Sequence, residues 1–537
     1  AERMIRYSVS RQGSLMRRTS IALTLVLLGC ALACPQPTTL PAPKPASNSA
    51  AKPLEEIWEA AFVQNDNGVD VKIGHIHLIS VPVEVDGKKL VRTTKQLRFE
   101  ILRGKAEAEM KADVSSDEDS EGRVHSVKAK LWLGKDRIQT LDCVVIEGSQ
   151  IRVTADGEFK NVRTFRWDPN CIGLAREQSI LREKKVKAGD KFSYRYFEAQ
   201  VTNYVTIQVE VKGNEQVVLP GGIKRELLKV VATPDPLKVN DKQTLQLPAA
   251  TFWADPISYD TIKTVMDIPE IGKVTLLRTS KLAALASNGQ VPDLMKRQSI
   301  YLASPIPDMH ERDAITYKVT FTGDALPREL VSSDSRQTIK NVEGKTFELH
   351  VQSRRKPITM EKEEKAGPEF LKSNYFINSD DAKVKELAAK AVGTAKTDWE
   401  KAQNIEGFVR RYMQPADYTE AMAPADHVAK TRTGDCTEYS MLAAAMCRAQ
   451  KVPSRTAIGL VYVNNLLGRP GLAFHMWTEV FAKGQWLAID ATIGVGSVGP
   501  GHIKITDHSW DGVLSFTPLL PVKGFIMANP KVEVIGK

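Results

Sequence analysis

Long apolar runs are missing from this chain. No stretch reaches the about 18 residues that a membrane-crossing helix needs, which excludes a multi-span membrane protein. Cysteine is scarce, with six in 537 residues, so a fold stapled by dense disulfides is excluded as well. There is no Lys/Arg tract. The formal net charge is +10. Arg3, Arg6, Arg11, Arg17 and Arg18 stand against Glu2 alone ahead of the first apolar run, and the rest of the chain carries about +6. A surplus that small argues against nucleic acid as a partner. What the chain does have, 42% hydrophobic and 26% charged residues, suits a folded protein. Its length predicts about three or four domains.

Met16-Arg17-Arg18-Thr19-Ser20 is a basic opening, and Ile21 to Leu28 follow as an apolar segment of signal-peptide length. Residues 1–33 are therefore expected to be a leader, with Met16 as its better start, and the protein to be exported to the periplasm or cell envelope. Leu27-Leu28-Gly29-Cys30 resembles the lipobox of bacterial lipoproteins. Cys30 is the lipidation candidate and would tie the protein to a membrane through a lipid anchor. Ala31-Leu32-Ala33 offers ordinary cleavage after Ala33 instead, and an uncleaved anchor is the third outcome. Residues 34–53 hold six prolines, from Pro35 to Pro53, among Ala, Ser and Thr; such a composition makes an extended spacer.

Residues 54–290 read as β-rich. Val83 to Lys88 and Ala155 to Glu158 carry Asp-Gly turn signals, and Val205 to Val211 alternates as a half-buried strand should. A large antiparallel sheet or open barrel is expected. Residues 291–365 read as a smaller β domain, with strands at Ile315–Phe321 and Phe347–Val351. The pattern changes over 366–537. Val384, Leu387, Ala388 and Ala391 share one helix face. Thr397-Asp398-Trp399-Glu400 is a capping box opening a second helix with Ala402, Ile405, Val409 and Tyr412 inward. A third helix is expected from Asp435, with Tyr439, Leu442, Ala443 and Met446 inward. Strands follow at Ala457–Val463, Phe474–Phe481 and Trp486–Ala491. The expected fold class is multidomain: mostly antiparallel β domains, then an α+β domain.

Three segments of that last domain carry chemistry. Gly434-Asp435-Cys436 places a thiol where a helix starts, and the unpaired N–H groups and positive dipole end there favour the thiolate. His475 and Asp490 lie on the second and third strands. A turn that pairs Phe481 with Gly484, or one closed by Val480 and Gln485, sets His475 directly opposite Asp490, within about 5 Å between Cβ atoms. A carboxylate there would hold the imidazole tautomer and stabilise the imidazolium, completing a nucleophile–base–acid set.

Gly-Asp-Cys-x-Glu-Tyr-Ser at 434–440, Ala-Met-Cys-Arg-Ala-x-x-Val-Pro-x-Arg at 445–455, His-x-Trp-x-Glu-Val at 475–480 and Trp-x-x-x-Asp-x-Thr at 486–492 resemble the bacterial transglutaminase-like domain. That family shares a papain-like core with transglutaminases, peptide N-glycanases and cysteine proteases. The resemblance spans roughly residues 370 to 510. It implies Cys436 as nucleophile, His475 as base and Asp490 as orienting carboxylate. The implied reaction is acyl transfer from amide bonds of a protein or peptide through a thioester, to water or to an amine. It calls for no cofactor and no metal. Thr437 stands where animal transglutaminases have tryptophan, so calcium dependence and crosslinking do not carry over; Ala491 stands where the family often has proline. The second oxyanion donor comes from the segment ahead of the nucleophile, with Gln414 and Tyr418 both open. The rival expectation is a catalytically idle envelope lipoprotein whose β domains bind or scaffold. The oligomeric state is not legible.

Other residues read as structural. Glu438 and Glu479 are expected at ion pairs or a helix terminus, and Trp477 and Trp486 as shields of the site. Cys447 lies about 16 Å along the helix from Cys436, too far for a disulfide, and is a core residue. Cys143 and Cys171 could pair in an oxidising compartment. Asp117 to Gly122 begins like an EF-hand loop, but Lys128 occupies the twelfth position, where a bidentate glutamate is required; this reads as a solvated acidic loop. His75 and His77 read as strand surface. Of the spare histidines His427, His502 and His508, His508 is the chief rival to His475.

Overall fold

The computed structural model describes residues 53–536 except 66, 104–105, 133–137, 147–148, 157–161, 239–243, 269–270, 290, 292, 294–298, 323–329, 360–363, 415–421 and 495–497. The leader, Cys30, the cleavage point at Ala33, the spacer up to residue 52 and Tyr418 lie outside the described residues.

The β-rich region is one antiparallel sheet of fourteen strands. In space it runs from Val162–Arg166 backwards through the chain to Glu55–Gln64, then to Gly272–Thr279, Thr261–Ile268, Ala250–Ala254, Ile223–Pro234, Asn203–Leu219 and Lys191–Glu198. The hairpin expected at Asp86-Gly87 joins Asp70–Val85 to Lys88–Arg103, both turn residues having positive φ. The sheet curls until its ends meet. Cys171 bridges Arg195, Ile172 N–H donates to Arg195 O at 2.8 Å, and Trp167 packs on Phe197 with ring centroids 6.4 Å apart. The expected open barrel thus closes through side chains and one bridge rather than a full ladder. Cys143 and Cys171 lie buried in one apolar cluster as free thiols.

A helix that the sequence reading lacks, Leu174–Lys184, packs on the strands Lys88–Arg103 and Ala106–Glu118. Its N-cap is Gly173, which has no side chain to cap the helix. The caps come from the sheet: Glu118 accepts the N–H groups of Ala175 at 2.8 Å and Arg176 at 3.1 Å, and Ser116 that of Leu174 at 2.8 Å. A Cβ at Gly173 would sit 2.4 Å from the Glu118 carboxylate, so the close approach needs glycine. This corrects the reading of Asp117 and Glu118 as part of a solvated loop. Both are buried strand residues, and Asp117 holds Arg92 at 2.7 Å.

The C-terminal region has the expected order of helices then strands. Ala382–Val392, Asp398–Tyr412 and Cys436–Ala449 appear where the patterns put them, with Val384, Leu387, Ala402, Ile405, Leu442 and Met446 buried in one core. Ala425–Thr431 is an additional short helix. Ser454–Leu466 and Arg469–Ala482 form the long central pair of a five-stranded sheet, flanked by Ile300–Tyr301, Gln485–Ile489 and His502–His508. The smaller β domain expected over 291–365 is not separate. Its strands Ala314–Phe321, Gln337–Glu343 and Thr346–Gln352 take Pro530–Gly536, at the far end of the chain, as their fourth member. Tyr317 and Phe347 share the apolar core of the helices. Three strands with one apolar face need a partner layer, and the helical domain supplies it. Among the described residues no helix is long and apolar enough to cross a membrane.

Candidate active site

Cys436 is the first residue of its helix, held there by a reciprocal cap. The Asp435 carboxylate accepts Thr437 N–H at 3.0 Å, and Glu438 Oε2 accepts Asp435 N–H at 3.0 Å. Glu438 Oε1 also takes Ala423 N–H at 2.8 Å, tying the preceding segment to the helix end. Burial, with the Asp435 carboxylate beside it, pushes the Glu438 carboxyl up to about 8. Gly434 has φ +129°, and a Cβ there would strike the Glu438 side chain at 2.3 Å; the Gly-Asp-Cys order is a packing requirement of the cap. Cys436 itself is half-buried, while Cys447 on the same helix is fully buried and its thiol is pushed up by desolvation.

One hydroxyl locks this helix end to the histidine strand. Ser440 Oγ lies 2.6 Å from the Cys436 carbonyl and 2.9 Å from that of Met476. Thr478 Oγ1 returns a bond of 3.0 Å to Ser440 O. The backbone of Cys436 is therefore held beside that of Met476, the residue following His475.

His475 Nε2 donates to Asp490 Oδ2 at 2.6 Å, with both side chains buried. The expected register was off by two residues. The hairpin turns at Lys483-Gly484, both with positive φ, so Ala482 pairs with Gln485 and Thr478 with Ile489. An even shift keeps side chains on the same face, and the imidazole reaches the carboxylate diagonally. The other Asp490 oxygen accepts Thr492 N–H at 2.9 Å and Ile493 N–H at 3.2 Å, and Asp490 N–H donates to Glu406 Oε1 at 3.0 Å. Burial alone would raise the Asp490 carboxyl; the charge and hydrogen bond of His475, with a second imidazole, hold it far below the usual carboxylate range. Burial pushes Glu406 up to about 7.

That second imidazole is His502, whose Nε2 lies 2.9 Å from the same Asp490 oxygen. Sequence reasoning passed over it and over Glu406. Their partner lies 12 and 84 positions away, and neither has a local motif. His508, the expected rival base, ends the same strand, where its Nδ1 accepts Trp510 N–H at 2.7 Å and burial pushes it down to about 4. Trp477 stacks near His475, with centroids 6.2 Å apart, and edge-on to His502 at 5.3 Å. Trp486 lies elsewhere, with the Arg455 guanidinium 4.0 Å over its ring, and does not shield this site. Glu479 is an ion-pair residue, as expected, between Arg455 and Lys504. Gln414 has its N–H committed to Arg432 O at 2.8 Å and its carbonyl to the Tyr439 hydroxyl at 2.7 Å. His475, Asp490 and His502 offer ligand atoms within 4.8 Å of one another, a donor set that suits a transition metal. Donors around zinc stand roughly 3.3 Å apart, however, and the 2.6 Å contact is a hydrogen bond.

Comparison with known proteins agrees in part. No curated protein matches the chain. Among solved structures it is similar to a proposed cysteine protease from Cytophaga hutchinsonii, at 19% identity over 42% of this chain and 84% of that one, with TM-score 0.26. A β-barrel-like protein of a domain of unknown function from Brucella abortus matches at 12% identity over 43% of this chain and 97% of that one, with TM-score 0.31. A TGase structure matches at 15% identity over 29% of this chain and 43% of that one, with TM-score 0.17. The family model of the transglutaminase-like superfamily matches residues 385–491, a stretch that holds Cys436, His475 and Asp490, and that part of the chain is a transglutaminase-like domain.

Proposed function

We propose that the protein is a cysteine-dependent hydrolase or acyl transferase acting on amide bonds of proteins or peptides. The observation that carries this reading is the 2.6 Å bond from His475 to a buried, charged Asp490, on the strand locked by Ser440 to the helix end that bears Cys436. His475 uses Nε2 for Asp490, which leaves Nδ1 to exchange a proton with the thiol. The thiolate attacks the amide carbonyl carbon, and the Cys436 backbone N–H at the helix end receives the developing oxyanion. As the C–N bond breaks, the imidazolium gives its proton to the departing amine, leaving a thioester on Cys436. Water or a second amine, deprotonated by His475, then attacks the thioester and frees the thiol. Hydrolysis is the favoured outcome. The leader pattern supports an exported protein, lipid-anchored at Cys30 in the cell envelope.

A thiol-reactive probe at neutral pH is expected to label Cys436 ahead of the other described cysteines, and His475→Ala to slow that labelling. Equal rates in the two proteins would sink the activated pair. The second reading, an idle envelope protein, draws on the fourteen-stranded sheet, which carries no chemical motif. Turnover of a peptide library that is lost in Cys436→Ala would remove it, and incorporation of a fluorescent amine into a glutamine-bearing protein would identify an amine as acceptor.

A further inference from the structure

We propose that His502 is a positioning residue of this site, which divides the Asp490 carboxylate between two imidazoles and so sets the basicity of His475 below what an undivided carboxylate would give. The inference rests on the reading of Cys436, His475 and Asp490 just given. It adds a residue from outside the stretch that matches the family model.

Three observations carry it. First, both histidines use one oxygen, Asp490 Oδ2, at 2.6 and 2.9 Å, so each draws on the same negative charge. Second, the His502 ring is enclosed. It is fully buried, edge-on to the rings of Trp477 and His310 at 5.3 and 5.5 Å, on a backbone whose carbonyl accepts the Arg336 guanidinium at 2.5 Å and whose N–H donates to Gly499 O at 3.2 Å. Third, its proton has one place to be. His502 Nδ1 is buried without a protein partner, so the proton sits on Nε2, where Asp490 accepts it. Burial, opposed by Asp490, pushes His502 down to about 4, and at neutral pH it is a donor without charge. An uncharged donor keeps the carboxylate anionic and oriented, yet weakens its pull on the imidazolium of His475.

Other titratable groups face this trio. Glu406 meets Asp490 from the helix behind it, with Arg410 one turn further on that helix. The His310 ring stands 5.5 Å from that of His502, and Arg336 approaches the His502 backbone. Because burial pushes the Glu406 carboxyl up to about 7, every variant is also measured in a Glu406→Gln background, where the amide oxygen can still accept Asp490 N–H.

The test is the pH profile of Cys436 alkylation by iodoacetamide in the full chain, which needs no substrate. A thiolate–imidazolium pair alkylates on a plateau that rises again when the imidazolium loses its proton. His502→Leu is expected to move that upper step to higher pH by about one unit, because Asp490 then acts on His475 alone. His502→Gln, which keeps an N–H donor but cannot titrate, should stay within about a third of a unit of the parent. An unmoved step in His502→Leu, or a shift in His502→Gln as large as that of leucine, would overturn the proposal. If His502→Leu does not fold, His502→Met serves as the donor-free variant. Histidine-labelled NMR of the parent provides an independent check, since a proton found on His502 Nδ1 at neutral pH would overturn it too. A parent that shows one ordinary thiol titration near about 8.5 would instead break the Cys436–His475 reading itself.

Discussion

In the curled sheet Lys95 is buried among Glu59, Glu177 and Glu198, whereas in the C-terminal sheet Lys504 is buried among Glu479, Asp334 and Asp507, with Arg455 alongside. The inventories are alike and the outcomes opposite. Around Lys95 desolvation prevails: the ammonium is pushed down, Glu59 is pushed up, and Glu198 reaches about 7. Around Lys504 desolvation acts in the same sense but direct contact overrides it. Glu479 is held low by Lys504 and Arg455, at contacts of 3.1 and 2.7 Å, Asp334 falls to about 2, and Lys504 is raised. The sign of a buried group's shift thus follows from which prevails, the cost of burial or the pull of the opposite charges around it. Asp490, the carboxylate of the candidate site, belongs to the second kind.

The comparison breaks first at the site. On the proposed reaction Cys436→Ala should remove turnover by ~10³-fold or more, because a nucleophilic thiol there would have no substitute, while Glu198→Gln should leave kcat/KM near that of the parent. A comparable loss in Glu198→Gln would mean that the sheet takes part in the chemistry.

Next is Lys504→Met. Removing the cation strands the buried Glu479 and leaves the half-buried Asp334 without its ion pair, and the variant should lose about 3–5 kcal/mol in urea unfolding followed by tryptophan fluorescence. A loss under about 1 kcal/mol would show that Arg455 alone carries the network.

Glu198→Gln tests the opposite regime. A carboxyl whose folded-state value is raised contributes stability below its unfolded value of about 4.5, and that contribution is lost as pH rises through about 7. The parent should therefore weaken against Glu198→Gln by about 2–3 kcal/mol between pH 5 and pH 8, where the glutamine has no proton to lose. Equal urea midpoints at both pH values would place Glu198 with the carboxylates whose neighbours outweigh burial.

What the sequence discloses follows the range of the interaction that decides each element. Strict alternation at 205–211 is decided by one face of one strand, and the strand Asn203–Leu219 is there. The box Thr397/Glu400 closes within three residues and its helix starts where the box places it; the helix expected from Asp435 starts there too, with a cap, closed by Glu438, that the structure adds. The hairpin register needed a turn length that the residues do not spell out; the observed turn moved it by two, and the even step kept His475 and Asp490 on one face. The helix Leu174–Lys184 is capped by strand residues nearly sixty positions away, Pro530–Gly536 joins a sheet begun at Ala314, and His502 meets its carboxylate only in space. None of these leaves a local pattern to read.

That contrast in range supplies the smallest test. Asp381 caps the helix that follows it, accepting Lys383 N–H at 2.8 Å and Val384 N–H at 3.1 Å from one oxygen. Asp381→Ala removes a local cap at a partly exposed helix end, where water can replace the lost acceptor, and should cost about 1 kcal/mol. Glu118 caps Leu174–Lys184 from a buried strand position, so Glu118→Ala takes the acceptor of two N–H groups, Ala175 and Arg176, and opens a gap where the carboxylate was buried; it should cost more than Asp381→Ala in the same urea assay. Equal losses would mean that solvent reaches the cap at Gly173 as freely as it reaches the one at Asp381, and the buried strand would then give its cap no added weight.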